Sequence, residues 1–215
     1  MLHPLAPHDP RVTELDLSGY LDTVAVHCPF LAPARAAETL VWRCYLAAPP
    51  VDDQIVPALS GLVLEAAERV RTARASAGRL VCENIAVLGD APPTLWVDLL
   101  AWPHWIIKAL FASTGLMIGK FWPGEDSTDR FGRAIPSPPA AFFSVRPAMA
   151  TRDPRLVADT TPGIAEQLAA AHDDGLPVFD QVPGLGGTPV TAAATLDAWP
   201  QLTAWATRQL RAARG

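Results

Sequence analysis

Two strand-like segments, Gly115 to Trp122 and Ala140 to Arg146, are joined by a polar, proline-rich stretch with no helical period. Parallel neighbours need a long crossover, usually a helix, so these two segments are predicted to lie antiparallel and adjacent. Upstream, the residues from Thr39 to Ala47 alternate Leu40, Trp42, Cys44 and Leu46 against Val41, Arg43 and Tyr45, the period of a half-buried strand. A capped amphipathic helix follows, with Asp52 or Asp53 before it, Pro57 in its first turn, an apolar stripe from Leu59 to Val70 and Gly78 after it. Arg79 to Leu88 reads as the next strand, and Thr94 to Ser113 as a second helix with Pro103 inside.

The order β-α-β-α-β-β-α-α predicts an α/β sandwich with a mixed, mainly four-stranded sheet flanked by helices. Residues 1–26 read as an N-terminal arm with prolines at 4, 7 and 10 and then an amphipathic helical turn or two around Leu15 to Val26, residues 27–155 as the α/β core, and 156–215 as a helical C-terminal extension packed on that core. In the extension, Gly163 to His172 and Ala192 to Arg214 are the expected helices.

Composition sets limits on function. At 215 residues, half of them hydrophobic, the chain can bury a core without disulfides or metal. A formal charge of -5 argues against general nucleic-acid binding, which needs clustered positive charge. The basic residues are arginines apart from Lys108 and Lys120, a usage expected of a GC-rich bacterial genome. Residues 1–10 carry no basic stretch followed by an apolar run, and Leu95 to Phe111 is interrupted by Asp98, Pro103, His104 and Lys108. Neither a secretory signal nor a membrane span is expected, and cytoplasmic location is the default. Cys28, Cys44 and Cys82 have no C-x-x-C spacing and are read as reduced thiols.

Two places carry chemistry. His27 and Cys28 put an imidazole beside a thiol ahead of the first strong strand, where Cys28 suits a metal or haem thiolate, a nucleophile or a buried structural thiol. The long loop mixes Glu125, Asp126, Asp129, Arg130 and Arg133, a set suited to gripping a carboxylate or propionate, or simply to solvation. Arg146, on a half-buried strand two residues from Ser144, needs a partner. Trp122 suits covering a flat ligand or plain packing. Cys44 and Cys82 are expected in the core, and His104 is expected to be a satisfied core or boundary histidine rather than a haem ligand or proton shuttle. Trp199 and Trp205 suit either a homodimer contact or docking on the sheet.

The stretches CPFLAPA at 28–34, GLMIGKFWPG at 115–124 and PSPPAAFFSVRPAMATRD at 136–153 resemble a bacterial family of unassigned function with the pattern CPF followed by GLM-x-G-x-F-H-P. More distantly, the same order is similar to the YqcI/YcgG-type haem-dependent N-oxygenases, which act on amino-acid side-chain nitrogens in natural-product pathways. This chain departs from both at Trp122, where they carry histidine. The resemblance implies haem b, with Cys28 or His27 replacing that ligand. It also implies that Arg130, Arg133 or Arg146 holds propionates or the substrate carboxylate, and that Trp122 lines the pocket. The implied function is an oxidoreductase acting on nitrogen of a small amino-acid-like substrate. Two alternatives stand beside it: a non-catalytic small-molecule- or partner-binding protein on the same scaffold, and a cofactor-free enzyme with Cys28 as nucleophile.

Overall fold

The computed structural model describes residues 1–129 and 131–212. Its centre is a mixed five-stranded sheet of β1 (Leu2–Leu5), β2 (Leu40–Ala47), β3 (Cys82–Leu88), β7 (Ala141–Pro147) and β4 (Leu116–Phe121), in that spatial order. β2 and β3 are parallel, and every other pairing is antiparallel, including the expected β4–β7 pair.

The parallel step needs a crossover, which α4 (Val56–Ala77) supplies, and α5 (Pro93–Phe111) carries the chain from β3 to β4. Asp52 caps the short 3-10 turn leading into α4, and Gly78 ends the helix with a positive φ of 72° that a side chain would resist. Both crossovers advance the same way across the sheet, and their helices share one face. There Ile85, Val87, Ile118, Phe143 and Val145 meet Leu59, Val63, Leu100, Ile107 and Leu110 in the main core. No helix among the described residues is long and apolar enough to cross a membrane.

The opposite face is covered by chain that, apart from the helical turns expected around Leu15 to Val26, the sequence pattern left irregular. α1 (Pro10–Thr13), α2 (Leu17–Val24) and α3 (Leu31–Ala36) form a helical cap, and a small hairpin of β5 (Ser127–Thr128) and β6 (Ala134–Ile135) rises from the long loop. Under them lie two smaller apolar clusters. One gathers Cys44, Ala86 and Phe142 with Tyr20, Trp42 and Phe121; the other gathers Phe30, Ala34 and Cys82 with Cys28, Leu40 and Met149.

The segment read as an arm therefore contributes a strand and two helices, β1, α1 and α2. Past β7, α6 (Asp153–Val157) and α7 (Pro162–Ala169) cover Ala112 and Met117. The expected last helix is two, α8 (Ala192–Asp197) and α9 (Trp199–Ala212). α8 lies so close to α4 that a Cβ on Gly61 would stand 2.8 Å from the Ala192 carbonyl oxygen. Trp205 is buried in the main core of the same chain.

Candidate functional site

Successive strand residues face opposite layers, so the registers define rows across the cap-side face. Trp42, Asn84, Ser144 and Gly119 stand side by side on β2, β3, β7 and β4. Beyond Trp42 the row is polar or small, whereas the next row, Cys44, Ala86, Phe142 and Phe121, is apolar. Asn84 is buried, yet Ser144, on an inner strand, keeps partial exposure. Cys82 sits beside the row, its Sγ 3.5 Å from Ser144 Oγ and 3.8 Å from Asn84 Oδ1. Burial pushes the Cys82 thiol up to about 11, so it stays protonated.

Arg146 ends this face of β7. Asp153, 0% exposed, accepts from its Nη1 at 2.7 Å and its Nη2 at 3.0 Å, and the guanidinium lies 5.1 Å from the Phe30 ring centroid. Burial opposes the charge of Arg146, and the Asp153 carboxylate more than offsets it, so its pKa rises. Met149 N–H also donates to Asp153, which ties the chain after β7 back to the strand. The Cys28 and Cys82 sulfurs both lie within electrostatic reach of Arg146.

The turn holding His27 and Cys28 joins α2 to α3, with both backbone N–H groups donating to the Val24 carbonyl. His27 Nδ1 lies 3.0 Å from Asp129 Oδ2, with side chains 10% and 6% exposed. Burial works against the Asp129 carboxylate, but hydrogen bonds from Arg133 and His27 prevail and hold its pKa well below the usual range. An ionised Asp129 only accepts, so Nδ1–H donates to it and the bond fixes the orientation of the ring. Arg133 clamps the assembly: its Nε donates to Asp129 at 2.7 Å and its Nη2 to the Val26 carbonyl at 3.2 Å. Cys28 is half-buried, whereas Cys44 and Cys82 are buried as expected.

The structure thus brings His27, Cys28, Arg133 and Arg146 to one end of the cap-side face. It does not bring Trp122 there: that ring packs against the main core, 5.2 Å from Lys120 Nζ, beyond the strand end where Phe121 pairs with Phe142. Arg130 lies outside the described residues.

These side chains do not fit a haem as arranged. The proposed thiolate packs against a cluster of Phe30, Ala34 and Cys82, both described arginines are bonded to internal acceptors, and the intended covering tryptophan serves the other layer. A cavity of about 350 Å³ opens next to the site between α2, α3 and β2, bounded by Leu17, Ser18, Arg35, Glu38, Leu40 and Trp42. Leu40 belongs both to its wall and to the cluster that holds Cys28.

Sequence reasoning passed over Asn84 and Asp153 and singled out no carboxylate in the loop as the partner of His27. For Arg146 the need for a partner was visible, and the partner was not. No family model, curated protein or solved structure matches this chain.

Proposed function

We propose that the chain is a cofactor-independent thiol enzyme acting on a small carbonyl compound, with Cys28 as nucleophile and the His27–Asp129 pair handling the proton. The observation that supports it is the buried His27–Asp129 bond, which joins residues 102 apart in sequence directly beside a half-exposed thiol. Asp129 orients the ring, and in the neutral imidazole Nε2 would then be the acceptor, the division of labour that a general base needs. The backbone here is a turn and not an extended strand, so the opposed-face geometry that would disqualify His27 as a base for its neighbour does not apply. The Cys28 thiolate would attack the carbonyl carbon and form a thioester, while the leaving group departs with the proton taken from sulfur. Water activated by His27 would then hydrolyse the thioester and restore the thiol. The cavity beside Leu40 supplies room for a small molecule. A cytoplasmic setting, where thiols stay reduced, suits this chemistry.

Iodoacetamide labelling at neutral pH tests the reading. Cys28 is expected to react at least about tenfold faster than Cys44 or Cys82, since thiolate access governs the rate, and His27→Ala is expected to slow it. Equal, slow labelling of all three thiols would reject the nucleophile.

Ligand binding without chemistry is the second reading, favoured by the internal pairing of Arg133 and Arg146, which fixes both guanidinium groups as scaffold. Mass spectrometry of the freshly isolated protein, with its visible spectrum, distinguishes it. A co-purifying small molecule without thiol reactivity supports binding, and a Soret band lost in Cys28→Ser would restore haem-dependent nitrogen oxidation.

A further inference from the structure

The chain has only two lysines, Lys108 and Lys120, and the fold sets both on one seam. Lys108 lies on α5 one turn beyond His104, and Lys120 on β4, the outer strand of the sheet. Between them His104 Nε2–H donates to the Ile118 carbonyl at 2.9 Å and holds the helix against the strand. Burial pushes His104 down to about 3, so the ring is neutral and the charge of the seam comes from the lysines.

Lys108 is only 8% exposed. Its ammonium has no hydrogen bond or ion pair to any described residue. Nor is it sealed in: the buried side-chain N and O atoms without a partner among the described residues are Trp42 Nε1, Glu68 Oε2 and Thr195 Oγ1, so solvent touches Lys108 Nζ. Burial, then repulsion from Lys120, lowers the Lys108 pKa to about 8, and Lys120 is lowered chiefly by burial.

The acids facing the seam do not neutralise it. Asp153 acts on Lys108 from a distance while bonded to Arg146, and Glu125 and Asp98 act on Lys120 without reaching ion-pair distance. A buried ammonium is normally paired, because desolvation of an unpaired charge is strongly unfavourable. Where it is unpaired and solvent-accessible, it is open to water or to a bound anion.

We propose that the seam between α5 and β4 binds a small oxyanion, the carboxylate or phosphate group of a small molecule, with Lys108 as the buried anchor and Lys120 as the second cation. A compact ammonium suits such a site, since it offers its donors without the fixed fork of arginine. The site is separate from Cys28, so its success or failure is independent of the thiol chemistry.

Labelling lysine Cε with carbon-13 yields two assignable signals in the full chain. Sodium phosphate and sodium acetate are titrated against sodium chloride of matched ionic strength. Saturable shifts of both signals with either oxyanion, absent with chloride, are expected, and which oxyanion saturates identifies the group. Lys108→Met should weaken the response at Lys120 at least about tenfold, as loss of a charge-assisted contact does. Lys120→Met should weaken the response at Lys108 less. Shifts that fail to saturate, or match chloride, in the wild-type chain overturn the site whether or not the variants fold. So does a Lys120 response unchanged by Lys108→Met.

Discussion

Arg146 carries its charge on an inner strand because Asp153 accepts from both of its terminal nitrogens. Replacing Arg146 with methionine leaves a fully buried carboxylate unpaired, which is expected to lower stability by about 3–5 kcal/mol, read as a fall in the urea midpoint. Changing Asp153 to leucine in the same chain should recover much of that loss, since no charge then remains to be buried. The need for a partner was legible from the alternation of β7, but the partner was not, because it stands seven residues on, past the strand end, where no periodicity reaches. His104 was read as a satisfied histidine, and the Ile118 carbonyl satisfies it. His27 shows the limit at this scale. The loop offers Glu125, Asp126 and Asp129, and only the turn of a two-residue hairpin decides that Asp129 meets the ring.

Elements with a full period were legible, and of the short helices before β2 α2 alone was. α4 and α5 follow their apolar stripes to within two residues, and β2 follows its alternation, while β3, β4 and β7 match the segments read as strands to within three residues. α2 was legible as helical turns around Leu15 to Val26, whereas α1 and α3, with four and six residues, are too short for a 3.6-residue period to show, and all three hold through packing rather than propensity. β1 was hidden by Pro4, which removes a backbone donor and is tolerated because the strand lies at the sheet edge. Between elements, Asp173 ties the segment after α7 to α4 through Arg71 and Arg74. The hydrogen bond from Arg71 leads the other contributions in lowering its pKa from 3.8 to about 2. A carboxyl group lowered on folding contributes stability that is fully present above its unfolded value and lost as pH falls through its folded one. The difference in melting temperature between the native chain and Asp173→Asn should therefore be constant above about pH 5 and shrink as pH falls from 3.8 towards about 2.

At the scale of the whole molecule, the segment read as a C-terminal extension is part of the core. Val178, Phe179, Val182, Leu185, Leu202 and Trp205 are buried in the same cluster as α4, α5 and the sheet. A chain ending at Pro177 is expected to keep helical far-ultraviolet signal while losing its near-ultraviolet bands and binding a hydrophobic dye, as a collapsed but unpacked state does. The fold class and the antiparallel β4–β7 pair were legible because they follow from element order. The two-sided cover of the sheet was not, since it depends on contacts distant in sequence. That distance affects the order of synthesis. His27 leaves the ribosome 102 residues before the aspartate that orients it. At about 5–20 residues per second, roughly 5–20 s pass in which the amino-terminal helices have no finished floor to settle on. During translation, the nascent cap must be shielded from other chains until β7 arrives.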